Sequence, residues 1–259
     1  RILRVSLSRT PSRIPPYPYS SHKDAQAMPT QIIPTKDGGQ FEAYVAMPAI
    51  LPAPAVIVIQ EIFGVNAEMR EKCDELAQAG YIAVCPDLFW RLEPGVQLTD
   101  KTQAEWDQAI SLMNRFDVDQ GIDDLRAVVH VYKGHAECTG MVGVTGYCLG
   151  GKLAYLMAAR TGVDCAVSYY GVGLDALLGE ATHIKKPLLM HIAALDKFVP
   201  PSAQQKITAG LSDHPQVSLH VYPGVDHAFA RGNGQHYDAQ AAQLANQRTA
   251  EFLQQHLKR

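Results

Sequence analysis

Three side chains in this sequence combine into one kind of chemistry. Cys148 stands in Gly146-Tyr147-Cys148-Leu149-Gly150-Gly151, Asp196 in Leu195-Asp196-Lys197-Phe198-Val199-Pro200, and His227 in Gly224-Val225-Asp226-His227-Ala228-Phe229. A thiolate is a strong nucleophile. An imidazole holds it as an ion pair and later moves its proton, and a carboxylate orients the ring and stabilises its charged form. Such a set attacks a carboxylic ester or lactone, protonates the leaving group and activates water against the resulting thioester. Each residue alone has a bland reading. The Gly-x-Cys-x-Gly pattern fits an ordinary turn with an inert buried thiol. An Asp after a strand usually caps a turn. One His among ten is more often a surface or satisfied core residue. Their order along the chain, and their common position after strands, favour the triad. Asp226 competes with Asp196, but its adjacency to His227 makes it a poor orienter of that ring.

The elements around these residues read as an alternation of strands and helices. Met141 to Thr145 is a short apolar, β-branched strand, and Lys152 to Arg160 a helix, so Cys148 falls in a sharp strand-to-helix turn. Small flanking residues are required where helix and strand approach closely, and the helix N-terminus favours a thiolate. This is the layout of a nucleophile elbow, with Cys in the usual Ser position. Further strands are expected at 41–47, 53–60, 81–85, 163–170, 187–193 and 217–222, and further helices at 67–79, 101–114, 117–132, 201–211 and 238–257. The pattern predicts an α/β-hydrolase: a mostly parallel sheet with helices on both faces, and functional groups at the carboxyl ends of the strands.

The chain has 259 residues, enough for a single large α/β domain, and a net charge of −3 with both signs scattered. That gives no footprint for nucleic acid or an anionic membrane. The strongest apolar runs, such as Ala55 to Ile59, are strand-sized and too short to span a bilayer. Five cysteines, odd in number and without a Cys-x-x-Cys, point to a reducing, cytoplasmic compartment. No grouping has convincing metal spacing and no phosphate loop is present, so neither metal nor cofactor is expected. Residues 1–27 carry four arginines and one acid, Asp24, without the apolar segment of a secretory signal. They read as a disordered leader, either an organellar transit peptide or a non-native extension, ahead of a single domain at 28–259.

From Met28 onward the chain resembles the dienelactone hydrolase (carboxymethylenebutenolidase) family, a cysteine-dependent branch of the α/β-hydrolases. The resemblance lies in Gln60-Glu61-Ile62-Phe63-Gly64-Val65-Asn66, Cys85-Pro86-Asp87-Leu88-Phe89, the elbow hexapeptide, Tyr169-Tyr170-Gly171-Val172-Gly173 and His227-Ala228-Phe229-Ala230-Arg231. It implies that Glu61 hydrogen-bonds the resting thiol and takes its proton when substrate binds. It also implies a substrate that is a small enol lactone carrying a carboxylate, opened to maleylacetate. Arg91 and Arg231 are then expected to grip that carboxylate by charge-assisted hydrogen bonds. The backbone N–H groups of Ile62 and Leu149 are expected to form the oxyanion hole. Phe63, Trp90, Tyr170 and Phe198 are candidate pocket walls. Two positions depart from the pattern: Trp90 is bulky for a small lactone, and Ala228 stands where the family can carry a small hydroxyl residue.

Two other readings are open on the sequence. One is a broader carboxylesterase or thioesterase using the same triad. The other is a redox-sensing thiol protein with Cys148 as a reversible oxidation site, which has no need of an Asp–His pair.

Overall fold

The structure is a computed structural model and describes residues 29–258. The leader expected at 1–27 lies outside the described residues.

Eight strands form a single sheet. In chain order they are β1 (Thr30–Pro34), β2 (Gln40–Ala46), β3 (Ala53–Ile59), β4 (Ile82–Pro86), β5 (Cys138–Tyr147), β6 (Cys165–Tyr169), β7 (Leu188–Ala193) and β8 (Val217–Tyr222). Their spatial order is β1-β2-β4-β3-β5-β6-β7-β8. β1 and β2 run antiparallel at one edge, and every pairing from β4 to β8 is parallel. Among the described residues there are six α-helices: α1 (Ala67–Gln78), α2 (Gln103–Arg115), α3 (Val118–Lys133), α4 (Leu149–Arg160), α5 (Pro201–Leu211) and α6 (Ala239–Leu257). The expected mostly parallel α/β-hydrolase sheet is what the chain forms.

The central strands are continuous apolar runs because both faces are covered. All seven residues of β3 are buried, as are all of β4, β6 and β7. Along β5, Thr145 and Tyr147 share a cavity with residues of α1 and α6, and a Cβ on Gly143 would meet Leu257 of α6. The intervening positions Val142, Val144 and Gly146 therefore point to the opposite face, on which α3 and α4 pack. Among the described residues no helix is long and apolar enough to cross a membrane.

The sequence-based boundaries hold to within a few residues for most elements. β1 was not expected. It is five residues long, ends at Pro34 and buries only Ile33, so its pattern is too weak to read. β5 begins three residues before the expected strand, ahead of a left-handed Gly140 (φ 83°) that breaks its periodicity. Two 3₁₀ segments at Leu174–Ala176 and Leu178–His183 also carry no helical period.

Backbone contact fixes the centre of the molecule. A Cβ on Gly150 would lie 2.2 Å from the Ile59 carbonyl oxygen and 2.6 Å from that of Gln60. The first turn of α4 thus rests directly on the chain leaving β3, which leads into Glu61 and Ile62. Gly150→Ala is expected to destabilise the fold by about 1–3 kcal/mol, because neither backbone atom can swing aside. Gly162→Ala, with nothing within 4 Å of the added Cβ, is expected to change stability by less than about 0.5 kcal/mol. Urea unfolding midpoints of the two variants check the contrast.

Candidate active site

β5 ends at Tyr147 and α4 begins at Leu149, so Cys148 alone turns the chain. Its backbone sits at φ 57°, ψ −113°, a strained region that costs a non-glycine residue about 1–3 kcal/mol. Two hydrogen bonds hold it there: the Cys148 N–H donates to the Tyr169 carbonyl (3.1 Å), and the Lys152 N–H donates to the Cys148 carbonyl (3.1 Å). The opposite face admits no side chain, since a Cβ on Gly146 would lie 1.9 Å from the Gly150 oxygen. The strain lifts the thiol onto the start of α4, where no side chain caps the helix and its first N–H groups have no helical acceptor. Leu149 is the first of these.

His227 and Asp196 meet across the loops after β8 and β7. His227 Nδ1 is 2.7 Å from Asp196 Oδ2. The other oxygen, Asp196 Oδ1, accepts from the N–H groups of Phe198 (2.8 Å) and Val199 (3.2 Å), so the carboxylate cannot rotate. The imidazole lies between Tyr170 and Phe198, with ring centroids at 5.0 and 4.9 Å. Its Nε2 makes no hydrogen bond to any described residue. Burial disfavours a charged ring here. The charge of Cys148 and the bond to Asp196 outweigh it and push the His227 pKa up to about 10. Asp226 serves the backbone instead: its Oδ1 accepts from the His227 N–H (2.7 Å) and the Lys197 N–H (3.3 Å).

Cys148 and His227 open into a cavity of about 130 Å³. Ile62, Phe63, Phe198 and Arg231 also line it, as do Val172 and, from α2, Trp106, Ile110 and Met113. Arg231 is buried with two carboxylates. Its Nε and Nη2 donate to the two oxygens of Glu61 (2.7 and 3.1 Å), and its Nη1 donates to Asp100 Oδ2 (2.7 Å). Burial opposes the guanidinium charge, and Glu61 and then Asp100 overcome it, so the side chain stays cationic. Its face lies 5.0 Å from the Phe63 ring centroid. The loop carrying it is tied to α1, where Glu68 accepts from the Gly232 N–H (2.9 Å) and Lys72 donates to the Ala230 carbonyl (3.2 Å).

Of the expected site residues, the structure brings Cys148, His227, Asp196, Ile62, Leu149, Phe63, Phe198, Arg231 and Glu61 together. Both oxygens of Glu61 engage Arg231, and none of its hydrogen bonds reaches Cys148. Tyr170, expected as a pocket wall, does not line this cavity: it adjoins the His227 ring, and its hydroxyl is buried without a hydrogen-bond partner among the described residues. Burial holds that phenol well above its usual pKa, and the Glu61 charge adds to the effect.

Arg91 and Trp90 are a correction. Neither lines this cavity. The chain reverses after Phe89, whose carbonyl accepts from Leu92 and Glu93 (2.8 Å each), and both side chains are drawn to the buried Asp124 of α3. Trp90 donates to it at 2.8 Å, and Arg91 at 3.1 and 2.8 Å, with a further 2.8 Å bond to Asp37. Arg91 lines a separate cleft of about 820 Å³ between the β1–β2 turn and α3. The wall assigned to this segment is supplied by α2. Trp106, Ile110 and Met113 recur at helical spacing on one face, which on sequence reads as ordinary core packing. Asp100 was also unforeseen, and only its closeness to a helix start marked it.

Among the described residues no group of three or more His, Cys, Asp or Glu is placed to hold a metal ion. The five cysteines are all free thiols.

A strand-turn-helix nucleophile, an Asp after β7 and a His after β8 on a mostly parallel sheet define an α/β-hydrolase. The family model for the dienelactone hydrolase family matches residues 41–257, and the chain belongs to that family of hydrolases. It is 44% identical over 221 residues to a carboxymethylenebutenolidase of Pseudomonas putida, covering 85% of this chain and 94% of that one. It is 54% identical over 230 residues to a candidate carboxymethylenebutenolidase of Azospirillum brasilense, covering 87% and 97%. A solved structure of a candidate dienelactone hydrolase from Klebsiella pneumoniae superposes with a TM-score of 0.75 at 28% identity, covering 89% of this chain and all of that one.

Two outcomes follow from this geometry. An NMR titration of the His227 imidazole is expected to find a midpoint near 10, falling by at least one unit in Cys148→Ala, which removes the charge that favours the protonated ring. Because the native pKa is raised, the stabilisation is complete below the unfolded value near 6.5 and disappears as pH rises through about 10. Arg91→Ala is expected to leave KM for any ester or lactone within twofold while lowering the urea midpoint. A large rise in KM would return Arg91 to the substrate site.

Proposed function

We propose that the protein opens dienelactone, a small enol lactone carrying a carboxylate, to maleylacetate through a thioester at Cys148. The observation that carries the reading is the 2.7 Å His227–Asp196 bond beside a strained Cys148 that shares one small cavity with His227 and Arg231. The relatives named carboxymethylenebutenolidase support the same substrate.

In this reading the Cys148 thiolate attacks the lactone carbonyl carbon. The developing oxyanion is met by the N–H groups of Leu149 and Ile62. The ring C–O bond breaks as His227 protonates the departing enolate oxygen. Water then attacks the thioester, giving its proton to His227, and the C–S bond breaks to restore the thiolate. Asp196 holds the ring in one orientation and favours its charged form throughout. Arg231 is the partner for the substrate carboxylate. Glu61, displaced from Arg231 as that carboxylate arrives, becomes free to accept the thiol proton. Phe63 and Phe198 wall the substrate, and Tyr170 supports the imidazole from behind. The substrate is the only partner required, and no cofactor is needed. Free thiols in all five cysteines fit a cytoplasmic location.

Loss of dienelactone ultraviolet absorbance tests the reaction. Cys148→Ala is expected to lower kcat by at least about 10³-fold. Glu61→Gln is expected to slow dienelactone opening by tenfold or more, with its main effect on kcat. Unchanged turnover in Glu61→Gln would remove the carboxylate from the mechanism.

A further inference from the structure

We infer that the same cavity hydrolyses neutral lactones and esters with small apolar acyl groups, and that Asp100 sets how well an anionic substrate competes with them. The inference rests on Cys148 being the nucleophile, as proposed above.

Arg231 is the one arginine or lysine among the described residues lining the cavity. Each of its three nitrogens is already engaged: Nε and Nη2 by Glu61, Nη1 by Asp100. A guanidinium recognises a carboxylate by presenting two parallel N–H groups, and here the Nε–Nη2 fork is occupied by Glu61. Two carboxylates against one guanidinium also leave the cluster formally one negative charge in excess. An incoming anion must therefore evict a carboxylate and work against the remaining one, in a setting too buried for water to screen them. A neutral substrate meets no such opposition.

The remaining walls favour the neutral class. Ile62, Phe63, Ile110, Met113 and Val172 offer hydrocarbon. Trp106 has one polar atom, and its indole N–H is committed to the Asp100 carbonyl at 3.0 Å. It therefore turns an apolar surface to the cavity and keeps no donor for a carboxylate. The helix carrying these side chains is fixed at its start. Thr102 accepts from the Glu105 N–H (3.3 Å), its hydroxyl donates to Glu105 Oε2 (2.7 Å), and Glu105 Oε1 accepts from the Thr99 N–H (2.9 Å). Asp100, two residues before that cap, is held by Arg231 and by the Gln235 N–H (3.4 Å).

Neutral substrates use the triad without moving Glu61. His227 takes the Cys148 thiol proton as sulfur forms the C–S bond and passes it to the departing alkoxide; water then adds to the thioester and gives its proton to His227 as the C–S bond breaks. The acid and the alcohol are the products, and the thiolate is regenerated.

The test compares dienelactone with its methyl ester, the same lactone with its charge masked. Chromatography separates ring opening from cleavage of the methyl group. Wild-type protein is expected to open the methyl ester with kcat/KM at least one-tenth of that for dienelactone, and to cleave 4-nitrophenyl butyrate in a Cys148-dependent way. A smaller fraction for the methyl ester overturns the inference. Asp100→Asn, which removes one negative charge and keeps an acceptor for Arg231, is expected to raise the ratio of anionic to neutral kcat/KM at least fivefold, through a lower KM for the anion. A ratio that stays put, with both substrates losing activity together, reduces Asp100 to a structural residue; Asp100→Ser gives the same comparison if the first variant does not fold. Failure of the underlying reading looks different: turnover that survives Cys148→Ala would remove the nucleophile, whatever the ratio.

Discussion

The site depends on a single strained residue. At φ 57° and ψ −113°, Cys148 occupies backbone space that an L-residue avoids, and nothing in its side chain compensates. What holds it is backbone packed on backbone. Gly146 and Gly150 leave no room for a Cβ between β5, α4 and the chain leaving β3. Close-packed interiors transmit such constraints because they have no slack. The same contact seats the first turn of α4 on the chain that leaves β3 and leads into Glu61 and Ile62. The placement of Cys148 and that of the chain after β3 are thus not set separately; both follow from one approach of helix to strand.

The acid–base pair is arranged by different means. Asp196 and His227 come from loops after adjacent parallel strands, β7 and β8, so the sheet brings them within reach and hydrogen bonds finish the task. One oxygen of Asp196 is used on two backbone N–H groups and the other on Nδ1. Asp226 fixes the His227 backbone while leaving the ring alone. The imidazole pKa is consequently a balance. Burial between Tyr170 and Phe198 works against charge, and Cys148 and Asp196 restore it.

Much of this was legible in the sequence because it depends on local backbone rules. A glycine-flanked Cys between a strand and a helix, and an Asp and a His each directly after a strand, are local patterns, and the parallel topology then converges them. What the sequence concealed was side-chain traffic between distant loops. Arg91 and Arg231 look equivalent on paper, each a cation in a loop beyond a strand. Their fates differ because Asp124, on a helix face 33 residues from Arg91, captures one, while Glu61, 170 residues from Arg231, captures the other. Trp106, Ile110 and Met113 were hidden for a related reason. A helical apolar stripe has the same pattern whether it faces a core or a cavity.

Arg231 joins these two levels. Its loop is anchored to α1 through Glu68 and Lys72, its guanidinium spans from the chain after β3 to the segment before α2, and the apolar wall of the cavity starts only a few residues beyond Asp100. A buried ion triad of this kind contributes little net stability, because desolvation offsets most of the Coulomb gain. Its effect is instead on arrangement. It ties the segment that shapes the cavity to the loop that carries His227. It also decides what charge an incoming molecule meets there. With two carboxylates bound to it, the guanidinium acts as a joint between these segments.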